Sequence, residues 1–449
     1  MVFSNNLIMG AGGQASGYDI EQSIRFNDGD SAYLARDGFG QSPTSSTVCT
    51  ISVWVKRGNN LGSNSTIFYG GDPNGSTAES LRFGTGNQLQ FSQASSDYDL
   101  KTTQVFRDPA AWYHIVAVLN TGAAESSRAA LYVNGSQVTD FATENYPSSS
   151  YSTNFTANSS SVEHVIGSNA AAGNASQFFD GYIAEFNFID GQALTPSSFG
   201  ETNSTTGQWV PKAYSGSYGN NGFYLKGQDS SALGDDSSGN GNDFSSSGLS
   251  SADSVTDSPS DNQSTLNPLW AGATLSDGNL VATASGNSYQ WALSTFAVDD
   301  GGKHVCEFQK SSGTFGYVGL YQLGNHTATT GNNYFYGYNL GTGEIIKNSS
   351  VLTDLGTGAA NSLMRIEYDG SNDTIKIFDD GTEIFPASTG VSNTVGLSGH
   401  NSLHFGCAPY ASGTVITATF SPLSGTPTTD FKELTAANLP DPTIADPSA

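Results

Sequence analysis

The chain has 449 residues, with 16 Lys and Arg against 41 Asp and Glu, a formal net charge of −25. That sign repels polyphosphate and anionic headgroups, so neither nucleic acid nor a membrane surface is an expected partner. Only 13% of residues are charged, while 11% are aromatic and 53 are glycine. This balance is too aromatic for disorder and reads as β-structure with long polar turns. No apolar run reaches the length of about 18 residues that a spanning helix needs. Met1 to Gly13 holds no basic residue and one short apolar run, Leu7, Ile8 and Met9, so a Sec signal is not expected. Cys49, Cys306 and Cys407 are too few and too far apart for a disulfide framework.

Residues 1–20 are Gly-rich and poor in apolar side chains, which predicts an arm that orders only against a partner. Residues 21–205 read as a string of strands. Ser23 to Phe26 opens it. In 49–56 the residues Cys49, Ile51, Val53 and Val55 alternate onto one face. The run 112–119 is apolar on both faces, which suits a central strand. Residues 130–133 and 136–138 flank Asn134-Gly135, a strong hairpin signal because both residues tolerate positive φ. In 178–188, strict alternation puts Phe178, Asp180, Tyr182, Ala184, Phe186 and Phe188 on one face. Residues 206–262 turn Ser/Gly/Asn/Asp-rich, with one apolar island at Phe223 to Leu225, and are expected to be an inter-domain linker lying on a domain surface. Residues 263–432 give a second set of strands, at 303–309, 315–321, 334–340, 362–368, 374–378, 403–407 and 415–420. Residues 433–449 are expected to be an extended tail. The predicted class is all-β: two β-sandwich domains in tandem, joined by that long linker.

Four segments of the first domain carry a resemblance: Ile51-Ser-Val-Trp-Val-Lys56, Trp112-Tyr-His-Ile-Val116, Leu131-Tyr-Val-Asn-Gly135 and Asp180-Gly-Tyr-Ile-Ala-Glu185. In this order they resemble the laminin-G-like, concanavalin-A-like jelly rolls. Gly316-Tyr-Val-Gly319, Met364-Arg-Ile-Glu-Tyr-Asp369 and Ile375-Lys-Ile-Phe-Asp-Asp-Gly381 make residues 263–432 resemble a SPRY-type sandwich. The opening Met1-Val-Phe-Ser-Asn-Asn-Leu-Ile-Met-Gly10 and Phe188-Ile-Asp-Gly-Gln-Ala-Leu-Thr-Pro196 are similar to segments of marine bacteriophage virion proteins. So are Asp236-Ser-Ser-Gly-Asn-Gly-Asn-Asp243 and Phe431-Lys-Glu-Leu-Thr-Ala-Ala-Asn-Leu-Pro440. The resemblance implies a structural or receptor-facing protein of a phage particle.

Catalysis is not expected. Glucanases of the concanavalin-A-like fold use a Glu-x-Asp-x-x-Glu strand. Here the nearest stretch is Glu367-Tyr-Asp369-Gly-Ser-Asn372, which lacks the last carboxylate that double displacement uses. It is expected to be a solvated strand end. His114 lies in an apolar strand and is expected to be packed and hydrogen-bonded. His400 and His404 have a metal-like spacing only on a helix, and their surroundings read as turn and strand.

The candidate metal loop is Asp235, Asp236, Asn240, Asn242 and Asp243. It packs five oxygen-bearing side chains around Gly239 and Gly241, and oxygen donors suit Ca²⁺. The same residue types are ordinary turn formers. Asn27, Asp28 and Asp30 form a second candidate cluster, and Asp180 is a candidate rim carboxylate. Surface aromatics are candidates for stacking on sugars, among them Tyr146, Tyr151, Phe155, Tyr334, Phe335, Tyr336 and Tyr338.

The expected function is a non-enzymatic virion structural protein: a head fibre, capsid decoration or tail-fibre appendage. The alternative is a receptor-binding or carbohydrate-adhesive, lectin-like fibre or spike. Expected partners are other virion proteins, reached through the 1–20 arm, and host-surface glycans. A homo-oligomer, with a trimer preferred, and assembly in host cytoplasm complete the expectation.

Overall fold

The computed structural model describes residues 17–439, apart from 73–76, 96, 171–174, 205, 299–300, 314, 324–333, 357, 359–360, 387–391 and 397–402. His400 and most of the 1–20 arm therefore lie outside the described residues. Among those described there are strands and single 3₁₀ turns but no α-helix. The chain divides into two compact units, one ending at Ser260 and one starting at Asp261.

The first unit is a sandwich of two antiparallel sheets. The first sheet runs in the order Ser136–Gln137, Ala129–Val133, Trp112–Asn120, Val48–Arg57, Gly181–Asp190, Ser23–Phe26, Ser254–Val255, with Phe223–Leu225 also paired to Gly181–Asp190. The second runs Phe141–Asn145, Asp99–Val105, Gln88–Gln93, Glu79–Phe83, Ser65–Gly71, Glu163–Ile166, Tyr33–Asp37, Ser245–Ser247. Between them lies one core. The inward face of Val48–Arg57, with Cys49, Ile51, Val53 and Val55, meets Phe68, Leu81, Phe91 and Leu100 of the second sheet. The expected Asn134-Gly135 turn is present, with φ of 47° and 80°.

The expected alternation of 178–188 breaks at Glu185. A bulge between Ala184 and Asn187 shifts the register against Val48–Arg57, and Glu185 takes φ 50°. One extra residue on the bulged strand reverses every side chain beyond it. Tyr182 and Ala184 therefore face outward, while Phe186 and Phe188 join the core.

Outward-facing apolar residues of the first sheet explain why 112–119 is apolar on both sides: a third layer covers them. Trp54, Trp112, Tyr182 and Ala184 pack under Ile20, Tyr18, Trp209 and Val255. Val116, Val118 and Ile189 pack under Phe199, Leu194, Tyr214 and Tyr218.

The expected linker 206–262 is thus, as far as Ser260, part of the first fold. It supplies Trp209–Pro211, Phe223–Leu225, Ser245–Ser247 and Ser254–Val255. It also supplies core side chains Phe223, Leu225, Leu233 and Phe244. Its low apolar content misleads because a covering layer is held largely by hydrogen bonds. Asp190, for example, accepts from the backbone N–H groups of Thr44 at 2.6 Å, Ser45 at 3.0 Å and Asn221 at 3.0 Å. Residues 18–20 likewise belong to this layer, so that end of the expected arm is folded.

The first unit also holds a two-stranded pairing of Gly200–Thr202 with Trp209–Pro211. In the second unit one sheet, the third large sheet of the chain, runs Thr274–Ser276, Val281–Thr283, Val415–Thr419, Lys303–Ser312, Leu363–Asp369, Thr374–Asp379, Thr382–Phe385, with Lys432–Glu433 added in parallel to Lys303–Ser312. The fourth runs Ala292–Leu293, Leu403–Tyr410, Phe315–Gln322, Phe335–Asn339, Glu344–Lys347, Ser350–Asp354. Gly406, Gly319 and Gly337 lie side by side across three strands of the fourth sheet. A Cβ on Gly337 would meet the Phe335 ring at 2.5 Å, and one on Gly406 the Leu293 side chain at 2.5 Å. These glycines let the Phe335 ring and the Leu293 side chain lie close on the backbone. The expected tail starts inside this unit: Leu434 and Ala436 are buried, and Ala436 N–H donates to Asn262 O at 2.8 Å.

Candidate functional site

The Asp235–Asp243 loop follows the Phe223–Leu225 strand and folds back on it. Asp236 is its hub. Asp236 Oδ1 accepts from the backbone N–H of Tyr224 at 2.9 Å and of Ser238 at 2.8 Å, and Oδ2 accepts from Ser238 Oγ at 2.8 Å and Asn242 N–H at 2.9 Å. Asp243 Oδ1 accepts from Asp236 N–H at 2.9 Å. The Asn240 amide donates to Gly219 O and Gly222 O, and the Asn242 amide to Asn220 O and Gly222 O. Gly239 and Gly241 sit at φ 90° and 71°. The two Asp236 oxygens thus meet four donors. The two amide nitrogens lace the loop to 219–222. Asp235 is exposed and takes no part in this lacing. Four of the five residues, Asp236, Asn240, Asn242 and Asp243, come together as a knot of turns, and among the described residues no group of three or more His, Cys, Asp or Glu is placed to hold a metal ion.

The second cluster caps a 3₁₀ turn. Asn27 Oδ1 accepts from Gly29 N–H at 3.2 Å, and its amide donates to Asp30 Oδ2 at 2.9 Å. Asp180 is fully buried; Oδ1 accepts from Asn59 N–H at 2.8 Å and Oδ2 from Asp28 N–H at 3.4 Å. Burial, with the Asp28 carboxylate next to it, pushes the Asp180 carboxyl up to about 7. Here two carboxyl groups, one from the start and one from the end of the jelly roll, meet, with the Arg57 guanidinium close enough to Asp180 to interact.

Glu367 corrects another expectation. It is fully buried rather than solvated, because a strap of chain crosses the outer face of the third sheet above it. Glu367 Oε1 accepts from Thr428 N–H at 2.8 Å and pairs with Arg365 Nε at 3.1 Å. Arg365 in turn donates to Thr426 O at 2.8 Å and lies 4.1 Å from the centroid of the Phe378 ring. Glu307, on the neighbouring strand, accepts from Ser424 and Gly425 N–H at 2.7 and 3.1 Å. Glu433 accepts from Leu423 N–H at 3.0 Å and from the Ser421 hydroxyl. Glu307, Glu367 and Glu433 are thus each bound to backbone N–H groups of the strap.

His114 is packed, as its strand position predicts. Trp209 Nε1 donates to His114 Nδ1 at 2.9 Å, which leaves the proton on Nε2 to donate to Ser52 Oγ at 2.9 Å. The ring stacks on Trp54 at 4.7 Å. Burial lowers its pKa to about 3, so it stays neutral. His404, also buried, lies with Nδ1 2.8 Å from Ser294 O.

Most sugar-stacking candidates are structural. Phe155 is in the first core, and Tyr151 OH donates to the buried Glu79 at 2.6 Å. Phe335, Tyr336 and Tyr338 are buried, and Tyr336 OH donates to Ser392 O at 2.8 Å. Tyr146 donates to Glu144 at 2.6 Å, and Tyr334 remains 37% exposed. The hub Glu79 and the ring row Tyr289, Tyr410 and Phe315 were not singled out by sequence reasoning. Neither has a local signal, because their partners come from distant segments.

Residues 27–198 match the family described as the Concanavalin A-like lectin/glucanases superfamily, Laminin_G_3, a stretch short of half the chain. No curated protein matches in sequence. Among solved structures, the chain is similar to the SPRY domain of human HERC1, at 14% identity over 34% of this chain and 96% of that one, TM-score 0.29. It is similar to a SAP-like pentraxin from Limulus polyphemus, at 19% identity over 40% and 80%, TM-score 0.29. It is also similar to domains LG4-5 of the mouse laminin alpha1 chain, at 10% identity over 90% of each, TM-score 0.29. The family match gives 27–198 a concanavalin-A-like jelly roll.

Proposed function

We propose that the chain is a non-enzymatic structural protein of a phage particle, exposing β-sandwiches on its surface as a head fibre, capsid decoration or tail-fibre appendage. The observation that carries the non-enzymatic part is the use of the buried carboxylates: Glu79, Glu307, Glu367 and Asp190 each accept backbone N–H groups of covering segments. A catalytic carboxylate must reach substrate instead. The phage part is supported by the resemblance of the opening, the 188–196 and 236–243 segments and the 431–440 stretch. Residues 1–17 of the expected 1–20 arm are the proposed docking segment toward other virion proteins, and the copies form a homo-oligomer, a trimer by preference.

Immunogold labelling of intact particles with antibody to residues 21–205 tests this. Gold on the particle is expected, over the head for a decoration or head fibre and on the tail for an appendage. Particles that stay unlabelled, while the antibody detects the protein in infected cells, would sink the proposal.

A second reading, adhesion to host-surface glycans, is favoured by the lectin-type family of residues 27–198. Retention of the purified chain on immobilised host polysaccharide tests it.

A further inference from the structure

At one end of the second unit two loops meet the first residue of a strand. Residues 285–291 lead into Ala292–Leu293, residues 409–414 follow from Leu403–Tyr410, and Phe315 opens Phe315–Gln322. The two loops are laced together. Gln290 N–H donates to Pro409 O at 3.2 Å, Gly413 N–H to Ala284 O at 3.0 Å, and Ala284 N–H to Thr414 O at 2.9 Å. Ser412 N–H also reaches Asn287 Oδ1 at 3.4 Å.

Each piece presents an aromatic ring. Phe315 and Tyr410 are register partners, with ring centroids 6.2 Å apart. Tyr410 is 4.8 Å from Tyr289, and Tyr289 stacks on the buried Tyr317 at 4.3 Å. Behind Tyr317 stands the fully buried Trp291, at 6.1 Å. Phe315 is 37% exposed, and the two tyrosines are half-buried. Exposed Ser285, Asn287, Ser288 and Ser412 surround them. Not one residue of 285–291 or 409–414 is charged, in a chain of net charge −25.

We propose that Phe315, Tyr410 and Tyr289 form a binding site for a neutral saccharide on the second unit. Ring faces suit the C–H face of a pyranose, and the Ser and Asn groups beside them suit its hydroxyls. Packing against Tyr317 and the loop lacing hold the rings in place before binding, so little ordering cost remains. An acidic sugar finds no cation on either loop and meets the repulsion of the whole chain. A protein partner needs roughly 800 Å² from each side, which three rings, two of them half-buried, do not offer.

The proposal deepens the adhesive reading and rests on it. The test is isothermal titration of the full chain with neutral hexaoses (cello-, laminari-, malto- and manno-) and with alginate as the acidic comparison. One neutral hexaose is expected to bind. Phe315→Ala and Tyr410→Ala should each weaken it by about tenfold or more, corresponding to about 1.4 kcal/mol. Tyr410→Phe, which keeps the ring, and Tyr146→Ala, in the other unit, should retain binding, and the melting temperature of each variant verifies that it is folded at the titration temperature. Neutral-sugar binding that survives both ring deletions overturns this site but leaves the adhesive reading standing. Binding of alginate alone, or of none of the five, overturns the site; the adhesive reading then falls only if host polysaccharide also fails to retain the chain.

Discussion

The Lys56 ammonium lies 2.7 Å from Asp257 Oδ2, and both side chains are shut away from water. Asp257 Oδ1 also accepts from Trp112 Nε1 at 3.1 Å, and the Lys56 ammonium sits 5.6 Å from the centroid of the Tyr182 ring. This pair ties residue 257, from the covering layer, to the centre of the first sheet. Breaking it from one side leaves a buried charge alone, which costs more than the pair itself contributes. Asp257→Ala is expected to destabilise the first unit by about 3–5 kcal/mol in urea denaturation. The double change Lys56→Met with Asp257→Leu should cost clearly less than the sum of the singles. Additive losses would show that the two groups do not act as a pair.

Glu79 predicts a pH dependence. It is fully buried, accepts from Tyr151 OH, Thr153 Oγ1, Asn154 N–H and Phe155 N–H, and burial pushes its carboxyl up to about 7. A carboxyl raised on folding binds its proton more tightly in the native state. Its contribution is therefore fully present below the unfolded value near 4.5 and is lost as pH rises through about 7. Asp180, pushed up to about 7, acts in the same direction. The urea midpoint of the first unit should fall between pH 4.5 and pH 7.5. Glu79→Gln, though less stable at every pH, should show a shallower slope; an unchanged slope would remove Glu79 from the account.

The strap above Glu307 and Glu367 should loosen when an anchor is removed. Glu367→Ala leaves Thr428 N–H and the Arg365 guanidinium without their acceptor, a loss of about 2–4 kcal/mol. Hydrogen exchange at the Thr428 amide should accelerate, with smaller changes at Ser424 and Gly425, which Glu307 holds. Protection at Thr428 that matches wild type would refute the anchoring role.

Asp236 gives a contrast with the calcium expectation. Its four donors already compensate the carboxylate, so chelator is expected to leave the melting temperature unchanged. Asp236→Ala should lower stability by about 1–3 kcal/mol with or without Ca²⁺. A rise in melting temperature on adding Ca²⁺, absent in Asp236→Ala, would restore the metal reading.

Strand positions were legible in the sequence wherever alternation met a buried face, as in Cys49, Ile51, Val53 and Val55. The Asn134-Gly135 turn was legible because its backbone conformation limits the residue choice. The bulge was not, since Glu185 adopts positive φ without a Gly or Asn to announce it. Nor was the covering layer. Asn221, Asn242 and Asp257 are buried polar residues whose partners lie elsewhere in the chain, and composition alone makes such stretches look like solvated spacer. The surroundings of the acidic residues were hidden for a related reason. Asp236 and Glu367 show their chemistry in the sequence, but not that backbone N–H groups take it up.

Ile20 N–H donates to Ser260 Oγ at 2.9 Å, and Ile24 is the register partner of Ser254. The first unit therefore begins and ends at neighbouring points. Under tension the antiparallel pair Ser23–Phe26 and Ser254–Val255 would be loaded from its shared end and opened one hydrogen bond at a time, like a zip, rather than sheared. The jelly roll adds almost nothing to the contour along which force travels until that seam parts. Its neighbouring ends also make it a cassette that a surface loop of another protein can accept, or that can be circularly permuted through a short bridge between residues 20 and 260.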